Sequence, residues 1–504
     1  MADRVRPARV RRASSHRSCC GVSCTESGWL SIDARGGLGT IAATAIQAIT
    51  LQLRPRQFQA LQDLRQAYAS GARAPVLVAP TGFGKTAVSV EIIRAAVAKG
   101  RRTWFLAHLR EILDDTADRL AQAGIPHGHI RSGHHPDPDQ PVQVVGVKTA
   151  ASRQGLPAQD LVIVDECHLA VASTYRQVLS AVGDPLLLGL TGTPERLDGR
   201  GLGELFDRLV PTCSTSELIC EGLLSPCRVF APPGADLSQL RTRAGDFDQG
   251  QAGEILSRPT VVGDALEHWL RLCQGRRGVA FCSTVRHAET VAEQWRAAGL
   301  RAVAVSGGSG DDQRRAAVEL LRAGELDLVT CAQLWVAGVD VPALDAVIWL
   351  RPTQSLTVWL QGCGRGLRIA PGKADCLILD HVGNALRPGL PQARREWSLE
   401  GRRKRPRQGE AAVGVRQCEG CYACYPPQLP ACPECGAAPV VKVRKLVQTA
   451  GELRELEEGA RRARRREQGQ ARTYQELVLI GKARGMRNPW GWAQRVMAGR
   501  AGKA

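Results

Sequence analysis

No uninterrupted apolar run in this 504-residue sequence approaches the roughly 18–20 residues that a membrane-spanning helix needs. The sequence also lacks the apolar core of a secretory signal peptide, since its most apolar N-terminal stretch, GTIAATAIQAIT, consists mostly of small residues. These absences exclude an integral membrane protein and predict a cytoplasmic location without a membrane partner. Because 44% of the residues are hydrophobic, the chain can bury several cores, which excludes a wholly disordered protein.

Acidic residues are scarce relative to basic ones, with 49 Asp and Glu against 67 Lys and Arg. The excess is local: the net charge is +4 over residues 1–50, +1 over 51–400 and +13 over 401–504. A nearly neutral body with a basic tail indicates a polyanionic partner, the alternative being a tail charged only for solubility.

Cysteine residues fall into three groups, and only one of them is dense. Three lie between residues 19 and 24, nine are scattered singly over 51–400, and five lie within residues 418–435. Without a secretory signal, this usage indicates a reducing compartment, where clustered cysteines bind metal more often than they form disulfides.

The pattern of apolar runs divides the chain into segments. Residues 1–50 have no clear period and are interpreted as a disordered arm or as sequence upstream of the working start. Two regions, 51–210 and 261–400, alternate short apolar runs with amphipathic stretches, which predicts two tandem α/β domains with parallel sheets. The remaining segments are an interdomain connection (211–260), a basic linker with the cysteine cluster (401–440) and a basic helical tail (441–504).

Ten buried strands are predicted, five in each α/β region. They lie at 75–79, 103–107, 142–147, 161–164, 186–190, 278–282, 302–305, 327–331, 346–350 and 376–380.

The segment APTGFGKT, residues 79–86, follows the first predicted strand and precedes a predicted helix, the context that a phosphate-binding loop requires. Gly82 and Gly84 allow the backbone to turn its N–H groups, including that of Thr81, toward a phosphate at the helix N-terminus. Lys85 is predicted to reach the β- and γ-phosphates, and the Thr86 hydroxyl to bind Mg²⁺. The sequence therefore predicts ATP and Mg²⁺ as cofactors.

Two carboxylates, Asp165 and Glu166, directly follow the predicted strand LVIV and are the first two residues of the sequence DECH. A carboxylate at this position beside a phosphate-binding loop can hold Mg²⁺, as predicted for Asp165, and a second can orient the attacking water, as predicted for Glu166.

These motifs resemble those of the DEAD/DEAH-box helicases of superfamily 2, of the bacterial and phage type related to the motor subunits of type III restriction enzymes. The resemblance covers roughly residues 51–385 and implies two tandem RecA-like domains. Further matching elements occur in order: RPRQ (54–57), LAHLRE (106–111), VKT (147–149), TGTP (191–194), GVD (338–340) and QGCGRGLR (361–368).

The resemblance also implies roles for individual residues. It assigns nucleotide binding to Arg54, Gln57, Asp340 and Gln361, arginine fingers to Arg365 and Arg368, coupling to His168, Thr191 and Thr193, and nucleic-acid contacts to residues 108–110 and Lys148. Arginine fingers suit this chemistry because phosphoryl transfer depends on positioned positive charge.

Four cysteines are spaced as two knuckles, Cys418-x2-Cys421 and Cys432-x2-Cys435, which predicts a zinc ribbon with four sulfur ligands. Cys424 leaves an alternative, since Cys421 and Cys424 have the same spacing. An iron site of the same geometry and a metal-free disulfide cluster also remain open. Tyr422 and Tyr425 either stack on bases or pack against the ribbon.

Together, the sequence predicts an ATP-dependent DNA helicase or translocase with a zinc ribbon, associated with the nucleoid. No nuclease motif is evident, so cleavage would require a nuclease partner; a replication or repair protein is another expected partner. The alternatives are a double-strand DNA translocase subunit of a restriction or repair complex, an RNA helicase, and a non-enzymatic zinc-dependent binding protein.

Overall fold

A computed structural model describes the chain over residues 53–135, 137–196, 199–233, 237, 239–243, 245–332, 344–401, 414–439, 466–486 and 488–501. It divides into two units, Met1–Ala437 and Ala438–Ala504. No helix within the described residues is both long and apolar enough to cross a membrane.

The first sheet has seven parallel strands in the order β3-β4-β2-β5-β6-β1-β7. Its strands are β1 (Pro75–Val78), β2 (Thr103–Ala107), β3 (His127–Ile130), β4 (Val142–Gly146), β5 (Leu161–Asp165), β6 (Leu186–Thr191) and β7 (Arg208–Pro211). The accompanying helices are α1 (Pro55–Ala69), α2 (Lys85–Val97), α3 (Arg110–Gln122), α4 (Val147–Ala151) and α5 (Ser173–Ser180), with a 3₁₀ turn at Cys167–Leu169.

Strand β2 shows why the central strands are apolar on both faces. Phe105 joins the core beneath α1, α2 and α3, whereas Trp104 and Leu106 join the core beneath α4 and α5. Helices cover both faces of the sheet, so successive side chains of a central strand are all buried.

The second sheet has eight strands in the order β12-β13-β11-β14-β15-β8-β17-β16. Its strands are β8 (Cys227–Phe230), β11 (Gly278–Cys282), β12 (Ala302–Val305), β13 (Leu328–Cys331), β14 (Ala346–Leu350), β15 (Cys376–Asp380), β16 (Arg416–Gln417) and β17 (Ala423–Tyr425); β9 (Thr242–Arg243) and β10 (Asp246–Phe247) form a separate hairpin. The helices of this part are α6 (Thr215–Cys220), α7 (Gln249–Leu256), α8 (Pro259–Leu272), α9 (Val285–Ala297), α10 (Asp311–Ala323) and α11 (Leu356–Gly366).

Two features of the second sheet lie outside the region predicted to form it. Strand β8 comes from the stretch 211–260, expected to be a connection, and pairs in parallel with β15. Strand β17 comes from the cysteine segment and pairs antiparallel with β8. The two sheets confirm the predicted fold of two tandem RecA-like domains, and the cysteine segment extends the second sheet.

Residues 389–401, here called the strap, lead from the second sheet back to the first. At one end, Trp359 Nε1 donates to the Gly389 carbonyl (2.9 Å). At the other end, Gly203 N donates to the Leu399 carbonyl (3.0 Å), and a Cβ added to Gly201 would lie 1.8 Å from that oxygen. The close backbone approach at Gly201 therefore requires glycine.

The described residues of the unit Ala438–Ala504 include the helices α12 (Tyr474–Ala483) and α13 (Pro489–Ala501). The Thr473 hydroxyl accepts from Glu476 N (3.2 Å) and caps α12. Leu477 and Ala493 belong to a small core of this unit. The helical tail predicted from the sequence is thus present, while residues 440–465 lie outside the described part.

Candidate active site

The phosphate-binding loop joins β1 to α2 as predicted. Gly82 (φ 87°) and Gly84 (φ 91°) adopt left-handed backbone conformations that favour glycine. A Cβ on Gly84 would lie 2.4 Å from Gln57 Nε2, so the loop also needs the small residue for packing. Helix α2 begins at Lys85, which places the helix N-terminus at the end of the loop, where a phosphate is favoured.

Gln57 supports this loop directly. Its Nε2 donates to the Phe83 carbonyl (2.8 Å), and its Oε1 accepts from Arg54 N (2.9 Å). Lys85 Nζ donates to the Ala79 carbonyl at 3.5 Å. Two of the predicted nucleotide-binding side chains, Gln57 and Lys85, therefore lie at the loop.

Asp165 and Glu166 follow one another at the end of β5, and Glu166 has a left-handed backbone (φ 47°). Burial and the neighbouring Glu166 charge raise the pKa of Asp165. Burial alone would also raise the pKa of Glu166, but the hydrogen bond with His168 and the charges of His168, Lys85 and Arg365 outweigh it and lower this pKa. The Oδ1 atom of Asp165 is buried without a hydrogen-bond partner among the described residues, so the carboxylate fits a bound Mg²⁺.

His168 connects the carboxylates with the TGTP segment. Its Nδ1 lies 3.3 Å from Glu166 Oε2 and 3.2 Å from Thr191 Oγ1. The Thr191 hydroxyl in turn donates to the Thr193 carbonyl and accepts from Thr193 N, both at 3.0 Å. These contacts form a continuous chain from Thr193 through Thr191 and His168 to Glu166.

Helix α11 brings the second sheet to the loop. A Cβ on Gly364 would lie 2.8 Å from the Cβ of Thr81, and the Arg365 charge acts on Glu166. Gln361 faces the same cleft. Arg368 lies just beyond the helix, and Asp340 lies outside the described residues.

The cleft between the two sheets has a volume of about 590 Å³ and is lined by Lys85, Thr81 and Glu166 on one side and by Gln361 on the other. The strap lines it as well, through residues 393–397. Sequence reasoning missed this contribution. The available signal was the pair of apolar residues Trp397 and Leu399 in a polar stretch, and both pack on the core of the first sheet.

His108 and Lys148, the predicted nucleic-acid contacts, lie at the carboxyl ends of β2 and β4. Burial lowers the pKa of His108, an effect to which the charges of His168 and Lys148 add and which the charge of Glu166 opposes. His108 therefore lies close enough to Glu166, His168 and Lys148 for their charges to act on it. Arg110, the first residue of α3, places its Nε 3.9 Å from Asp114.

The structure brings together the four cysteines of the two predicted knuckles, Cys418, Cys421, Cys432 and Cys435, whose sulfur atoms all lie within 4.8 Å of one another. The Cys418–Cys435 and Cys421–Cys432 sulfur pairs are each 3.5 Å apart. Cys424 does not join the set, because it is buried in the core of the second sheet. All cysteines in the described residues are free of disulfides.

The two tyrosines of this segment differ. Tyr425 is buried in the second-sheet core, whereas Tyr422 is half-buried with φ 60°. Tyr425 therefore packs in the core and is not available to stack on a base. The basic run over residues 402–407 lies outside the described part of the chain.

Comparison with known proteins gives two family matches. The model "Type III restriction enzyme, res subunit" matches residues 50–196, and "Helicase conserved C-terminal domain" matches residues 263–370. The chain is 29% identical over 349 residues to a 51.5 kDa protein of a Lactococcus phage, covering 69% of this chain and 74% of that protein.

It is also 25% identical to the putative ATP-dependent helicase IRC3 of Saccharomyces cerevisiae, over 66% of this chain but only 51% of the yeast protein. Among solved structures, a fragment of a putative HsdR subunit of a type I restriction enzyme from Vibrio vulnificus has the same fold (TM-score 0.51, 22% identity, 66% of this chain and 64% of that one).

The two sheets, the loop between β1 and α2, and the family matches define an ATP-hydrolysing motor of the helicase class, which uses ATP and Mg²⁺ and acts on nucleic acid. Its two sheets resemble those of superfamily 2 helicases related to the motor subunits of restriction enzymes.

Proposed function

We propose that this motor acts on DNA, using ATP hydrolysis to move along the nucleic acid or to separate its strands. The observation that carries the proposal is the shared cleft, which Lys85 and Glu166 face from the first sheet and Gln361 from the second. DNA is the favoured substrate because the matching family over residues 50–196 is named for a restriction enzyme, a class that cleaves DNA. The chain spans only about half of the length of the yeast relative. The activity of the whole protein is therefore stated as part of this proposal.

Each side chain of the cleft has a role in this proposal. The Lys85 ammonium holds the β- and γ-phosphates, and the backbone of the loop orients them. Thr86 and Asp165 hold Mg²⁺, which neutralises charge on the phosphates when bound. Glu166, whose pKa is lowered, stays ionised and orients the attacking water.

Closure of the cleft is the step that couples hydrolysis to movement. Arg365 and Arg368 belong to the second domain and stabilise charge on the phosphoryl group only when that domain approaches. We assign the first motor domain to residues 51–210 and the second to residues 261–400 together with β8. His168 and Thr191 connect the nucleotide state to the nucleic-acid face at His108 and Lys148.

The four cysteines support a structural zinc site. Thiolates at these distances suit a tetrahedral ion with four sulfur ligands, and zinc is the usual choice where no redox role is needed. Elemental analysis of the purified chain tests this, with one zinc per chain expected. Iron in place of zinc would contradict the assignment.

The function itself is tested by ATPase assays without nucleic acid and with single-stranded DNA, duplex DNA and RNA. We expect stimulation by DNA above that by RNA. Stimulation by duplex with displacement of a bound third strand, but without unwinding, would identify a double-strand translocase. No ATP turnover under any condition would refute the motor assignment.

A further inference from the structure

The C-terminal end of α11 is capped by two residues from outside the helix. A helix leaves its last carbonyl groups without partners inside the helix. Here Ser225 N donates to the Leu367 carbonyl (2.7 Å), and Ser225 Oγ donates to the Arg368 carbonyl (3.2 Å). Lys373 Nζ donates to the Gly366 carbonyl and, at 2.7 Å, to the Arg368 carbonyl, and its positive charge complements the helix dipole.

These carbonyl groups belong to the segment that carries both proposed arginine fingers. Arg365 directly precedes Gly366, and Arg368 supplies one of the capped carbonyls itself. A misplacement of a catalytic group by about 1 Å can lower a rate about a hundredfold. The two capping side chains therefore set the position from which the guanidinium groups reach the nucleotide.

Ser225 is held in place through β8, which begins two residues later. Cys376 N of β15 donates to the Pro226 carbonyl (2.8 Å), which fixes one side of this segment. The other side of β8 pairs with β17, where Phe230 lies opposite Ala423 and Val229 opposite Cys424. The strand that presents Ser225 is thus enclosed between β15 and the cysteine segment.

Further contacts attach the cysteine segment to β8. The Arg228 guanidinium is bound to Glu434, which lies between Cys432 and Cys435, with Nε–Oε1 at 2.9 Å, and reaches Asp375 at 3.4 Å. Ala231 N donates to the Tyr422 carbonyl (2.9 Å), and Gln417 Nε2 donates to the Ala231 carbonyl. Because β16 and β17 are only two and three residues long, their order depends on whatever holds the four cysteines together.

We propose that metal binding by the four cysteines positions Arg365 and Arg368, acting through β17, β8 and the capping residue Ser225. The proposal rests on the proposed ATPase role of α11. It makes Ser225 and Lys373 positioning residues of the hydrolysis reaction, and it makes the cysteine segment a structural part of the ATP site rather than a separate module.

Hydrogen–deuterium exchange of the full-length chain tests this route without relying on activity. In Ser225→Ala, we expect the amides of residues 356–368 to exchange about two- to tenfold faster, as expected for the loss of one hydrogen bond. The kcat for ATP should fall severalfold with little change in KM, and Ser225→Thr, which keeps the hydroxyl, should restore both. Thr330→Val is the matched control, since it removes another buried hydroxyl bond of the same domain, from Thr330 in β13 to the Ala288 carbonyl in α9.

The double variant Cys432→Ser with Cys435→Ser should show the same faster exchange at residues 356–368, and the wild-type chain should do so after chelation and recover on addition of Zn²⁺. Unchanged protection of α11 in the metal-free chain would overturn the proposal. Loss of protection throughout the central strands β11 and β14 would also overturn it, because the metal would then stabilise the whole sheet. Absence of ATPase activity in the wild type would refute the proposed function alone, since the exchange experiment does not depend on turnover.

Discussion

Gly364 and Thr81 are in direct contact across the nucleotide cleft. Gly364 lies on α11 of the second domain, and a Cβ added there would lie 2.8 Å from the Thr81 Cβ in the phosphate-binding loop. Such a distance is too short for two carbon atoms, so any larger residue must displace the helix or the loop. The approach of the two domains at this point therefore depends on the absence of a side chain at residue 364.

Gly364→Ala should lower kcat for ATP by about tenfold or more, because the displaced α11 carries Arg365 away from the cleft. Nucleotide binding to the first domain, measured with a fluorescent ADP analogue, should be retained. Gly307→Ala is the control, since a Cβ there meets nothing within 4 Å. Equal turnover in Gly364→Ala and wild type would show that the contact is not needed for hydrolysis.

Lys85→Ala should lower ATP turnover by at least about a hundredfold, because the β- and γ-phosphates lose their main positive charge. The measurement is phosphate release at saturating ATP. Lys99→Ala, at an exposed lysine just after α2, should leave turnover unchanged. Turnover close to wild type in Lys85→Ala would contradict the assignment of this loop.

Glu166→Gln should retain ATP binding and lose hydrolysis, by about 10²–10⁴-fold in kcat. The amide keeps the shape of the side chain but cannot accept a proton from water. Binding is measured with a fluorescent ATP analogue and turnover by phosphate release, with the exposed Glu293→Gln as control. If Glu166→Gln failed to bind nucleotide, its role would be in binding rather than in orienting water.

Deletion of residues 438–504 should weaken DNA binding and flatten its salt dependence. This segment has 16 basic and six acidic residues, a net charge of +10. Each phosphate contact adds about 0.7 to the log–log slope for single strands. Fluorescence anisotropy across a salt series measures the slope, and basal ATPase should persist.

The boundary at residue 438 matters for this experiment. A deletion from residue 401 would also remove β16 and β17 from the second sheet, so it would confound the charge of the tail with damage to the ATP site. An unchanged slope after deletion from residue 438 would mean that the tail serves solubility.

Much of the fold could be predicted because the central strands are continuous apolar runs. All ten predicted strands are present within one residue of their expected ends. Among the strands that were missed, β3 has the sequence HGHI, and β8 lies in a stretch interrupted by proline. Strand β3, at the edge of the first sheet, and strand β8, between β15 and β17, are specified by their partners more than by their own composition.

The candidate site was predictable where a short motif carries it, as with Lys85 and Asp165. The roles of these residues remain predictions, and the structure adds their surroundings. Ser225 and Lys373 carry no motif, since their contribution arises only when α11 ends beside them. The strap likewise carries no motif. It lines the cleft only because the fold brings it beside the phosphate-binding loop, from which it is distant in sequence.

The strap has a mechanical consequence. The two motor domains are joined by the chain between β7 and β8 and again by residues 389–401, which dock on the first domain at Gly201 and Gly203. Two separate crossings define a line, and a body fixed at two points can only rotate about the line between them. We therefore expect the nucleotide cleft to open and close mainly by rotation of one domain about this line. Twisting motions, which a single flexible connection would permit, should be suppressed while the strap stays docked.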